Sequence, residues 1–187
     1  MAKSVFIGAA LAVLASNGFA LAQATVTGDA AASALYEPKE AEVEMTDSML
    51  PKDQKKVLKM VARDQLYYAA IAISPDEGLM SEATVAAANY HSVEDASAVA
   101  LAECNAKKNG AADCVVAAVV RPEGWQAGAV QLSSDATAGF QAAYDAGAMA
   151  VSSATGSWGI GADDAAAIAA CTERNPKATD CAVVIKN

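Results

Sequence analysis

Residues 100–116 read ALAECNAKKNGAADCVV, and residues 167–184 read AIAACTERNPKATDCAVV. In each stretch an alanine-rich run with helical periodicity ends at a cysteine. Nine residues, mostly polar, follow, and a second cysteine then opens an apolar, strand-like run. Four cysteines allow three disulfide pairings. The duplicated phrase favours the local one, Cys104–Cys114 with Cys171–Cys181, because a geometry that suits one copy suits the other. Each bridge would close a loop of about ten residues and contribute roughly 2.5–3 kcal/mol by restricting the unfolded chain. A zinc site would space its cysteine pairs two to four residues apart, and a redox dithiol would show C-x-x-C; neither spacing is present.

Outward from the cysteines, the phrase extends into a β-β-α-β unit. In the first copy, YYAAIAIS (67–74) is a strand, PDEG (75–78) a turn and LMSEATVAAANY (79–90) a less regular return strand. Ser92 caps a helix, with Asp95 three residues on, and Val93, Ala96, Ala100, Leu101 and Cys104 share one face. CVVAAVV (114–120) is a buried strand. In the second copy GAMAVS (147–152), SWGIG (157–161), ADDAAAIAAC (162–171) and CAVVIK (181–186) follow the same order, with Ile168 and Cys171 expected inward. The cysteines align at an offset of 67 and the opening strands at 78, so the first copy carries an insertion of about eleven residues near 80–90. The expected fold is therefore α+β: two β-β-α-β pseudo-repeats, about 67–120 and 147–187, in one duplicated domain (67–187). They would form a mixed, mainly antiparallel sheet carrying the helices, each repeat closed by its own disulfide. Between the repeats, Pro122–Glu123–Gly124 reads as a turn into a strand at 126–132, and Asp135 as the cap of a short helix carrying Phe140 and Tyr144.

The N-terminal third reads differently. Lys3, an apolar run from Val5 to Ala15 and Ala22–Gln23–Ala24 make residues 1–24 a secretory signal peptide. The run is too short to span a bilayer, so no stable membrane anchor is expected after cleavage. Residues 25–50 are small, acidic and aperiodic, and are expected as a flexible leader. Residues 51–66 form an amphipathic helix with Val57, Leu58, Val61 and Ala62 on one stripe.

Composition narrows the function classes. The chain has 187 residues and a net charge of −9; without residues 1–24 it has 12 basic and 22 acidic residues in 163. An acidic exported domain is a poor match to nucleic acid or an anionic membrane. Aromatic residues are only 5%, and an alanine-rich core buries little area per side chain. The large rings, Trp125 and Trp158, therefore fill core gaps or line a ligand surface. The single histidine, His91 in NYHS, lacks a nucleophile-elbow motif, and Gly156–Ser157–Trp158–Gly159–Ile160–Gly161 lacks the order of a phosphate-binding loop. No catalytic residue, metal ligand or cofactor is expected. Tyr90, His91, Trp125 and Trp158 are the candidate binding residues, and the partner is an unidentified protein or envelope component.

The run Tyr68-x-Ala70-Ile71-Ala72-x-Ser74, the helix ending Ala100-Leu101-x-x-Cys104, and Cys114–Val115–Val116 together resemble a bacterial family of small exported, cysteine-paired domains of unknown function. Residues 148–184 resemble it more closely still. The resemblance covers about residues 67–187 and implies a periplasmic or secreted protein, some relatives being partners of secreted effectors. This chain departs from it at Trp125–Gln126–Ala127–Gly128, where relatives often place a cysteine. Similar alphaproteobacterial sequences carry the label 5-aminolevulinate synthase. That activity needs a lysine Schiff base to pyridoxal phosphate in a large fold, and the lysines here (among them Lys55, Lys56, Lys107, Lys108 and Lys177) lie in polar surroundings. The implied role is a non-enzymatic binding module of the envelope; a small periplasmic hydrolase and a structural or stress-related envelope protein are the alternatives.

Overall fold

A computed structural model describes residues 25–38, 41–46, 50–128 and 130–187. The expected signal peptide lies outside the described residues. The fold is α+β, and the two disulfides are Cys104–Cys114 and Cys171–Cys181, each spanning ten positions with Cα atoms 6.1 and 6.3 Å apart. Two disulfides mark a chain matured in an oxidising, non-cytoplasmic compartment.

Elements follow in the order α1 (Gly28–Ala34), β1 (Ala41–Met45), α2 (Lys52–Arg63), β2 (Ala69–Ile73), β3 (Val85–Ala87), α3 (Val93–Lys107), β4 (Val115–Pro122), α4 (Ser134–Ala143), β5 (Ala148–Val151), β6 (Trp158–Gly161), α5 (Asp164–Arg174) and β7 (Ala182–Lys186). The strands form two antiparallel sheets, ordered β1-β4-β2-β3 and β6-β5-β7, rather than the single sheet expected. In each unit the first strand is central, flanked by its hairpin partner and by the strand that follows the disulfide. The ladder between the central strand and that last strand breaks register in both units, at Ile71/Ala72 against β4 and at Met149/Ala150 against β7. The residue skipped is Ala117 in one and Val184 in the other, in both cases the third after a cysteine.

The N-terminal segment pairs with both sheets. It was expected as a flexible leader; instead its two ends occupy the outer edges of the last strands. Val26 forms a parallel bridge with Ile185, its N–H donating to Val184 at 3.0 Å and its carbonyl accepting from Lys186 at 2.9 Å. β1 pairs along β4 from Ala41↔Pro122 to Met45↔Ala118. An edge already paired is closed to the other unit. The expected strand at 126–132 is likewise absent among its described residues; Ser133, rather than Asp135, caps α4 through Ala136 N–H at 3.2 Å.

Small residues set the packing distances. α3 lays Val93, Ala96, Ala100 and Cys104 on the first sheet, as its periodicity predicts, with Ser92 accepting from Asp95 N–H at 3.0 Å. α5 turns Ala167 and Cys171 inward, whereas Ile168, expected beside them, is 38% exposed. The reason is the glycine strand beneath it. A Cβ on Gly159 would lie 2.2 Å from Cys171 N, and one on Gly161 would lie 2.3 Å from Ala167 N. The helix backbone thus rests directly on alternate glycines of β6, leaving no room for a large side chain. Trp158 and Ile160 point to the opposite face and join Leu132, Phe140, Met149 and Ile185 in a second core.

Candidate functional site

The four candidate binding residues do not come together. Three are used by the frame. His91 is fully buried, 0% exposed, where the two units meet. Its Nδ1 accepts from Ser133 N–H at 3.2 Å, and its Nε2 lies 3.0 Å from the Ser157 carbonyl. A backbone N–H can only donate, so Nδ1 is unprotonated and Nε2 carries the proton. Burial pushes the ring's pKa down from 6.5 to about 4, against the opposing pull of the backbone carbonyls near Ser157 and Gly156. His91 is a neutral strut with both nitrogens engaged, closed to ligand and to proton transfer with solvent. Tyr90, half-buried, packs on the first core and exchanges backbone hydrogen bonds with Tyr68 at 3.0 and 3.3 Å.

The surrounding residues complete the same joint. Asn89, at φ +64°, donates from Nδ2 to Asp135 Oδ2 at 2.8 Å and accepts Asp135 N–H at 3.1 Å. Asparagine is among the few residues other than glycine that take that backbone region readily. Ser134 N–H reaches Tyr67 O at 2.9 Å. Gly156, at φ +70°, closes the joint: a Cβ there would sit 2.5 Å from Asn89 O. The insertion near 80–90 therefore supplies β3 and one side of this joint, and is part of the frame.

Trp158 is also committed. The outer edge of its ring abuts Gly139 on α4, and the Arg174 guanidinium lies 3.7 Å from its ring centroid while Arg174 Nε donates to Trp158 O at 2.9 Å.

Each disulfide loop is latched to the neighbouring hairpin turn by a carboxylate, from opposite sides in the two units. In the first, Glu77 on the turn accepts from Asn109 and Gly110 N–H at 2.7 and 2.8 Å, and from Ser81 and Ser74 hydroxyls at 2.6 and 3.2 Å. The Ser81 hydroxyl and the two amides hold its pKa down to about 2. In the second, Asp180 sits on the disulfide loop, accepts from the Ser152 hydroxyl and takes Ala154 N–H on the turn at 2.9 Å. Burial would raise Asp180, but these hydrogen bonds outweigh it and lower its pKa.

Trp125 lines a groove. About 600 Å³ in volume, the groove is lined by Glu42 and Glu44 of β1, Arg121 and Pro122 of β4, and the Trp125–Gln126 turn. The Arg121 guanidinium lies 4.9 Å from the Trp125 centroid and pairs with Glu44. Tyr36 fixes the wall: its hydroxyl accepts from Gln126 N–H at 2.7 Å and donates to Gln126 O at 3.3 Å. Sequence reasoning missed Glu42, Glu44 and Tyr36 because they lie in the segment read as a leader. The alternation in AEVEM (41–45) was the available signal.

No protein-family model, curated protein or solved structure matches the chain.

What the groove offers is recognition: an aromatic plate, a guanidinium and two carboxylates on a strand-backed surface. Among the described residues no group of three or more His, Cys, Asp or Glu side chains is gathered to hold a metal, and no helix is long and apolar enough to cross a membrane.

Proposed function

We propose that this protein is an exported, non-enzymatic binding module of the bacterial envelope, periplasmic or secreted, built from two copies of one disulfide-closed unit. Its partner is another protein or an envelope component, captured at the Trp125 groove. The observation that carries this reading is a division of labour. Tyr90, His91 and Trp158 are spent on joining and filling the units, while Trp125, partly buried against the first core, also lines a groove with Arg121, Glu44 and Glu42. The charge pattern suits a segment presenting a cation to the two glutamates and an apolar or aromatic side chain to the indole. The signal-like N-terminus and the resemblance to exported cysteine-paired domains agree with that role. A histidine-dependent hydrolase is disfavoured, because the chain's single histidine has both ring nitrogens bonded to backbone groups.

The test is site-specific photo-crosslinking in the native periplasm, followed by mass spectrometry. A crosslinker at Gln126 should give a discrete adduct that is lost in Trp125→Ala and absent from a crosslinker at Lys177 on the other unit. Identical adducts from both positions, or an adduct indifferent to Trp125→Ala, would remove the groove as the working surface.

A further inference from the structure

Helix α2 is the exception to the chain's acidity. Lys52, Lys55, Lys56, Lys59 and Arg63 lie on it with one carboxylate, Asp53. The whole chain has 13 Lys and Arg against 22 Asp and Glu, so the rest carries 8 cations and 21 carboxylates. Lys52, Lys56, Lys59 and Arg63 fall at i, i+4, i+7 and i+11 and form one straight, exposed stripe. The ion pairs among the described residues involve Lys107, Lys108, Arg121 and Lys186, and none uses a cation of α2.

The apolar side of α2 is only half used. Leu58 and Ala62 are buried against the fold, at 1% and 0% exposure. The other two residues of the expected stripe are outside, Val57 at 45% and Val61 at 46%, and so are Met60 at 63% and Leu66, just beyond the helix, at 41%. Val57, Met60 and Val61 are spaced i, i+3, i+4, so they make one patch that runs alongside the basic stripe.

We infer that α2 is a peripheral docking element for anionic lipid surfaces, lying in the headgroup plane with Met60, Val57 and Val61 inserted and the Lys52–Arg63 stripe against the lipid phosphates. The chemistry is that of interfacial helices, in which modest apolar insertion and cationic attraction add. Charge selects this occupant. A second copy meeting α2 face to face would oppose two cationic stripes. A second copy offering its acidic body would make a head-to-tail contact that does not close on itself. An anionic bilayer attracts α2 and repels the remainder, which also orients the molecule. The binding is reversible and independent of the Trp125 groove.

Co-sedimentation tests it, using the exported protein with its N-terminus read by intact mass. Vesicles of phosphatidylcholine containing phosphatidylglycerol should retain the protein, phosphatidylcholine alone should not, and added salt should release it. Lys56→Glu/Lys59→Glu should weaken partitioning by roughly 25-fold or more, at about fivefold per cation. Val57→Ser/Met60→Ser should weaken it by roughly tenfold. All four positions are exposed, and unchanged thermal melting confirms that the variants fold. Trp125→Ala should bind vesicles as the parent does. Equal retention on neutral and anionic vesicles, or full retention of the charge-reversed variant, overturns the inference. So does capture by poly-glutamate without vesicle binding, which points to an acidic protein, or self-association abolished by Met60→Ser, which points to a second copy.

Discussion

Mild acid should loosen this protein through one side chain. His91 is the only histidine, is wholly buried between the units, and is held neutral with a pKa of about 4 against 6.5 when unfolded. Because the folded value is depressed, the stability is fully present above the unfolded pKa. It falls as the pH drops below 6.5 and levels off below the folded value near 4. Across that 2.5-unit gap the full loss is about 3.4 kcal/mol at 1.36 kcal/mol per unit. Between pH 7 and pH 5 the same linkage gives about 2 kcal/mol, or roughly 4–8 °C in Tm for a chain of this size. That window lies above the two carboxylates that latch the loops. Glu77 and Asp180, both held below the ordinary carboxylate range, lose their contribution only as pH falls below about 4.5. Asp95, raised by burial in spite of bonds from Ser92 and Ser153, acts in the opposite sense. Urea unfolding at pH 7, 6 and 5 measures the slope. His91→Gln should start about 1–3 kcal/mol lower, because a buried hydrogen bond is lost, and should be flat over the window. A parent protein whose stability changes by less than about 0.5 kcal/mol, or a variant that keeps the slope, refutes the buried neutral strut.

Other consequences follow from the frame. Replacing Cys171 and Cys181 together by serine should cost about 2.5–3 kcal/mol in denaturant unfolding, and a cost below about 1 kcal/mol would show that the loop is held by its latch alone. Gly159→Ala should lower stability by about 2–3 kcal/mol, since its Cβ would lie 2.2 Å from Cys171 N, while Gly128→Ala, with nothing nearer than 3.9 Å, should be neutral within about 0.5 kcal/mol. Glu77→Ala should speed hydrogen exchange at the Asn109 and Gly110 amides, and Asp180→Ala at Ala154. Unchanged exchange in either case would mean that the latch does not restrain its loop. Non-reduced peptide mapping should recover two bridges, each within one unit.

What could be read from the residue order were the contacts made close by in sequence. The duplicated cysteine phrase, the Ser92 cap, the alternating apolar runs and the amphipathic α2 register interactions a few residues apart, so their periodicity and chemistry are visible in one dimension. Where an edge strand finds its partner is not visible in that way. Val26 pairs with Ile185 and Ala41 with Pro122, and such pairings depend on which edges remain free once everything else has packed. That is why a segment read as a leader turns out to pair with both sheets. The same holds for orientation. Nothing in NYHS distinguishes a histidine that meets solvent from one whose nitrogens are both taken by Ser133 and Ser157, 42 and 66 residues away. Nor does ADDAAAIAAC by itself say that Ile168 must turn outward, because the glycines that force it, Gly159 and Gly161, belong to the strand before it. Local order set the pieces and their sulfur closures; burial and edge availability, properties of the assembled molecule, decided which side chains were left to meet a partner.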